Sequence, residues 1–100
     1  MPASRKKSAA GTPELRQQLA VFATEHPALV QAYSHPIRVR ILALFDGGES
    51  ELAPVEMATA LGLRLGNVSY HVRILADLGI LKATRTSPAR GALRHHYRIA

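Results

Sequence analysis

Between positions 64 and 73 the chain carries Arg64, Gly66, Asn67, Ser69, Tyr70 and Arg73, groups suited to recognising a polyanion rather than to making or breaking bonds. An asparagine amide can make a paired hydrogen bond to adenine or bond a phosphate. A serine hydroxyl can serve either a base edge or the backbone, and a tyrosine offers a ring to a thymine methyl and a hydroxyl to a phosphate. Arg73 lies one helical turn further on and is placed to meet phosphate. A glycine such as Gly66 in a helix's first turn lets another backbone come close to the free amides there. A second group follows in Arg85, Arg90, Arg94 and Arg98, whose guanidinium forks match phosphates and narrow grooves.

The remaining reactive side chains do not assemble into a catalyst. The sequence shows no paired carboxylates, no Ser/His/Asp set and no glycine-rich phosphate loop, so an enzyme is not expected. The chain has no cysteine, which excludes disulfides, thiolate metal ligands and a cysteine nucleophile. His71 falls three residues after Val68, on the flank of the expected core. A hydrogen-bonded, half-buried histidine is its first reading and a nucleic-acid contact its second. His95 and His96 are neighbours on a strand and point to opposite faces, so they do not easily share one metal ion. No metal and no cofactor are expected.

Charge agrees with a polyanionic partner. The 100 residues hold 13 Lys+Arg and 7 Asp+Glu, a formal charge of +6. Residues 1–62 carry six of each sign, whereas residues 63–100 carry seven basic groups and Asp77 as the sole acid. The whole excess therefore sits at the end that holds the candidate residues. No apolar run approaches the roughly 20 residues that span a bilayer, and nothing apolar follows the basic cluster at Arg5, Lys6 and Lys7. A cytoplasmic protein with no membrane partner is expected.

These residues need elements to hold them. Residues 1–11 are small, polar and basic and read as a flexible tail, leaving 12–100 as one domain. Thr12-Pro13-Glu14 has the form of a helix start, and Leu15, Leu19 and Phe22 recur on one face until Pro27 interrupts. A short helical piece holds Leu29, Val30 and Tyr33. Ser34-His35-Pro36 opens a helix with Ile37, Ile41, Leu44 and Phe45 on one side, closed by Asp46-Gly47-Gly48. Residues 49–53 form a connector or a very short strand. Pro54 starts a helix that stops at Gly62, and a further helix over 65–78 carries Val68, Val72 and Leu75 as its buried stripe. Strands are expected at 80–86 and 92–99, joined by a loop at 87–91. In the second strand Leu93, His95, Tyr97 and Ile99 alternate with Arg94, His96 and Arg98. The result is a mainly α chain with a small antiparallel β-hairpin.

The junction of the last two helices is informative. Small Ala58 lets helices cross closely, Gly62 permits positive φ at the turn, and Val68 plugs the second helix onto the first. At this spacing they form a helix-turn-helix. Ser34-His35-Pro36-Ile37-Arg38-Val39-Arg40-Ile41-Leu42 resembles the opening of winged-helix repressors of the ArsR type. Leu65-Gly66-Asn67-Val68-Ser69-Tyr70-His71-Val72-Arg73-Ile74-Leu75 resembles their recognition helix, and Gly91-Ala92-Leu93-Arg94-His95-His96-Tyr97-Arg98-Ile99 is similar to the return strand of their wing. The resemblance covers about residues 28–99. It implies a winged helix-turn-helix that binds double-stranded DNA as a transcriptional regulator; a repressor is expected, although the sequence does not separate repression from activation. The recognition helix would lie in the major groove, with Arg64, Gly66, Asn67, Ser69, Tyr70, His71 and Arg73 toward DNA. The wing would lie on the backbone or in the minor groove through Arg85, Arg90 and Arg94.

The cysteine pairs of metal-sensing members are missing, and Ala53 stands where a Ser or Thr cap is usual. Many members build their dimer with a helix after the wing, whereas this sequence ends at Ala100. The Leu15/Leu19/Phe22 stripe either packs on its own domain or forms part of the seam of a homodimer, and the seam is the expected reading. The motifs specify no small-molecule effector. The competing reading is a winged-helix module that binds protein and not DNA; a largely apolar outer face on the helix at 65–78 would favour it.

Overall fold

Prolines punctuate the helical half of the chain. The computed structural model describes residues 12–46 and 50–100 and contains α1 Pro13–Glu25, α2 Pro27–Ala32, α3 Pro36–Ala43, α4 Pro54–Leu61 and α5 Leu65–Asp77, then β1 Leu81–Ala89 and β2 Ala92–Ile99. The tail expected at 1–11 and the Gly47-Gly48 stop lie outside the described residues. Each of α1 to α4 begins on a proline, whose fixed φ suits the first turn and whose missing N–H is one that no helical carbonyl needs. Thr12 Oγ1 caps α1 by accepting from the Leu15 N–H at 3.1 Å. His35 Nδ1 does the same for α3, accepting from the Ile37 N–H at 3.1 Å. Ala53 offers no such acceptor to α4, yet Glu56 reaches back and accepts the Ala53 N–H at 2.7 Å, so one half of a capping box is kept.

The core lies where α3, α4 and α5 meet the base of the hairpin. Ile41, Met57, Val68, Val72 and Leu75 are fully enclosed, and Ala32, Leu42, Phe45, Ala58 and Leu81 join them. Helix α3 is shorter than its apolar pattern predicts. Its end tightens, with Leu44 and Phe45 donating to Ile41 and Leu42 at 3.1 and 3.2 Å, so the pattern continues while the α-helix does not. Gly62 ends α4 at φ 68° and ψ 34°, and the Leu63 N–H bonds the Ala58 carbonyl at 3.0 Å. This left-handed turn lays α5 across α4 with Val68 wholly buried. Arg40 holds the same corner by donating to the Leu61 carbonyl at 3.2 Å.

The hairpin departs from expectation in three ways. β1 runs through Ser87 and Pro88 to Ala89, so the expected five-residue loop is a two-residue turn, Arg90-Gly91, with Gly91 at φ 64°. In a two-stranded sheet each strand has a free edge, and Pro88 can sit on it without breaking a ladder bond. Second, a bulge at Thr84 shifts the register between Ala83↔Tyr97 and Arg85↔His96. Third, the expected burial alternation fails beyond that bulge: His96 is buried while Leu93 and His95 are open. The connector resolves as the very short strand, because Leu52 and Tyr97 exchange both backbone hydrogen bonds at 2.9 Å.

Helix α1 packs chiefly on α2 and contributes no buried residue. Leu15, Leu19 and Phe22 remain 44%, 58% and 46% exposed, so none of the three enters the core. Among the described residues no helix is long and apolar enough to cross a membrane.

Candidate nucleic-acid interface

Helix α5 divides cleanly between two environments. Val68, His71, Val72 and Leu75 face the core. Arg64, Gly66, Asn67, Tyr70 and Arg73 are exposed and Ser69 is half-buried, so the six make a mainly polar outer surface over two turns, interrupted by the exposed Leu65. Arg64 is the N-cap residue and its side chain makes no capping bond, which leaves the first-turn amides open to an incoming anion. A Cβ at Gly66 would meet no protein atom within 4 Å, so the helix backbone is bare there toward solvent.

His71 does not belong to this surface. It is 6% exposed, and its Nδ1 accepts a hydrogen bond from Arg38 Nε at 3.2 Å. Its ring lies 4.3 Å from that of His35 and meets Tyr70 edge-on at 5.1 Å. Burial, then the neighbouring His35 and Arg38, push its pKa below 6.5 and keep it a neutral acceptor. Its place among the candidate contacts is therefore corrected: it braces α5 from behind. Arg38 also donates to the Gln31 carbonyl at 2.7 Å, so one guanidinium joins α2, α3 and α5. Spacing alone does not reveal this pairing across 33 positions.

On the hairpin, Arg90 sits at the turn and Arg94 one strand position beyond Leu93; both are exposed, and neither has a protein partner among the described residues. Arg85 is engaged. Its Nε donates to Glu51 Oε1 at 2.8 Å, while Thr84 donates its hydroxyl to Glu51 Oε2. Those two hydrogen bonds, Thr84 first, lower the Glu51 pKa below the ordinary carboxylate value. Glu51 thus ties the connector to the bulge, a role that sequence reasoning missed because the partners lie more than 30 positions away. The Thr84 hydroxyl also reaches the His96 carbonyl at 3.2 Å, and Ser87 Oγ pairs with His96 Nε2 at 2.8 Å, which accounts for the burial of His96.

Between α5 and the hairpin runs a groove of about 590 Å³. Val55, Leu65, Val72, Leu93 and Tyr97 give it apolar walls, and Ser69, Arg73 and Arg94 open onto it. Among the described residues no group of three His, Cys, Asp or Glu side chains is arranged to hold a metal ion.

A helix-turn-helix domain family model matches residues 33–83, which is just over half of the chain. No curated protein sequence matches it. Among solved structures, it is similar to the homodimeric winged helix-turn-helix DNA-binding domain of Mb0332 from Mycobacterium bovis, at 28% identity and a TM-score of 0.61, covering 80% of this chain and 68% of that one. The transcriptional repressor BigR from Xylella fastidiosa superposes with a TM-score of 0.65 at 22% identity, over 85% and 80% of the two chains. HlyU from Vibrio cholerae does so with a TM-score of 0.64 at 20% identity, over 84% and 81%. The chain belongs to the helix-turn-helix family that the matching family model describes, and its fold is that of the winged helix-turn-helix regulators of the ArsR type.

Proposed function

We propose that this protein is a sequence-specific, double-stranded-DNA-binding transcriptional regulator that acts as a homodimer and represses by occupying its site. The observation that carries the reading is the outer face of α5, uncapped at its N-terminus and flanked by the exposed Arg90 and Arg94 of the hairpin. In this reading α5 enters the major groove. Asn67, Ser69 and Tyr70 face base edges, and Arg64, Arg73 and the bare amides around Gly66 take phosphates. Arg90 and Arg94 carry the wing over the backbone or into the minor groove. Arg85 holds the wing's base through Glu51, and His71 holds α5 in place; both act through position rather than contact.

One such unit reads only a few base pairs, and two-fold pairing sets two recognition helices about 34 Å apart on successive turns of the duplex. The exposed stripe of α1, continued by Val30 and Tyr33 at 43% and 56% exposure, is the surface we assign to that pairing. The homodimeric state of the Mycobacterium bovis domain supports it. Selection of bound sites from random duplex DNA tests the whole reading. The expected result is a pseudo-palindrome with half-sites one helical turn apart. Recovery of no enriched sequence, with equal retention of all duplexes, refutes it.

A further inference from the structure

Two leucines stand on the proposed DNA-facing side, where aliphatic groups are poor partners for phosphate. Leu65, at the start of α5, is 48% exposed, and Leu93, beside the wing turn, is 63% exposed. Both line the groove between α5 and the hairpin, together with Val55, Val72 and Tyr97. Its volume of about 590 Å³ lies within the range of roughly 300–1,000 Å³ seen for small-molecule sites, which pair apolar walls with a few polar groups. Here the polar groups are Ser69, Arg73 and Arg94, with His95 and Asp77 also on the lining. Arg73 and Arg94 come from different elements and have no protein partner among the described residues. Two guanidinium groups against the single carboxylate of Asp77 leave one positive charge, the complement of a single anionic head.

We propose that this groove binds an amphipathic monoanion, a medium-chain carboxylate. Its chain lies against Leu65, Val72, Leu93 and Tyr97, and its head is held by Arg73 and Arg94 in charge-assisted hydrogen bonds. Binding itself rests on the groove alone. Its consequence rests on the DNA-binding reading: the carboxylate takes the guanidinium groups that reading gives to phosphate, so ligand and DNA compete. The compound that fills the site is then a release signal, read on the DNA-binding surface itself.

Decanoate, kept below its micelle-forming concentration, is the probe, and amide chemical shifts of the full chain are the readout without DNA. Saturable shifts confined to α5 and the hairpin are expected. Neutral decanol should bind about tenfold more weakly, as should decanoate to an Arg94→Gln or Leu93→Asp variant, both changes being at exposed positions. Absent or scattered shifts, shifts on α1, or equal binding of decanol overturn the proposal. Duplex binding is followed separately by fluorescence anisotropy, where decanoate should raise the apparent Kd. An unchanged Kd with a filled groove overturns the competition. Shifts in α5 and the hairpin from a protein that binds no duplex uphold the site while refuting the DNA-binding reading.

Discussion

Replacing Leu19 and Phe22 together by aspartate should split the proposed dimer without unfolding its subunits. Full burial of a Leu or Phe side chain contributes about 1.5–3 kcal/mol. In the single chain Leu19 and Phe22 are 58% and 46% exposed, so about half of that contribution, roughly 1 kcal/mol each, is still to be gained on pairing. Across a two-fold axis both residues count twice, giving about 4 kcal/mol, or close to three orders of magnitude in Kd. Aspartates brought into the seam add desolvation and mutual repulsion, so the true shift exceeds that figure. The subunit should survive, because α1 supplies nothing to the core formed by Ile41, Met57, Val68, Val72 and Leu75. Sedimentation equilibrium reads the mass and circular dichroism the helix content. A double variant that stays dimeric places the seam elsewhere. One that loses its helical signal shows that α1 is required by its own subunit, contrary to its exposure.

Affinity for duplex should fall steeply with salt, by about 0.9 in log K per log unit of salt for each phosphate neutralised, and Arg73→Ala, Arg90→Ala and Arg94→Ala should each flatten that slope by about one; a slope unchanged by all three removes them from the interface. Asn67→Ala should cost about 1–3 kcal/mol on the selected sequence and little on a scrambled one, measured by anisotropy; equal losses on both make Asn67 a backbone contact. The lowered pKa of His71 fixes the sign of a pH effect. The unfolded chain binds the extra proton first, so stability should decline as pH falls from 6.5 toward the folded-state value and be level above 6.5. Urea melts across that window should show the decline, and His71→Gln should abolish it.

Most of the architecture was written locally. A proline with a capping side chain one residue before it announces a helix start at Thr12-Pro13 and His35-Pro36, and the small-residue turn from Ala58 to Gly62 announces the crossing of α4 and α5. The polar set on α5 was legible for the same reason: a 3.6-residue period assigns faces as soon as Val68 and Val72 are known to be inside. What escaped depends on partners far apart in sequence. His71 reads as a flank residue until Arg38 is seen to bond it, and Arg85 reads as a free cation until Glu51 is brought beside it. Ser87-Pro88 has the composition of a loop, yet the strand continues through both, with Ser87 bonded to a histidine on the return strand. A single bulge at Thr84 changed the sheet register, which no alternation rule anticipates.

Arg38 has a consequence for the geometry of a paired molecule. Its guanidinium spans from the Gln31 carbonyl of α2, next to the proposed seam, to His71 on the helix that would read the groove. In the proposed dimer this side chain, together with Ala32 packed in the core, would brace the seam against the reading helix. In that proposed dimer the separation of the two reading heads, and so the operator spacing it tolerates, would depend in part on that brace. A lysine there keeps the charge but cannot bond both ends with a rigid planar fork. Such a dimer would accept half-sites at a wider range of spacings while each head kept its base preference, making Arg38 the ruler of the complex and α5 its reader.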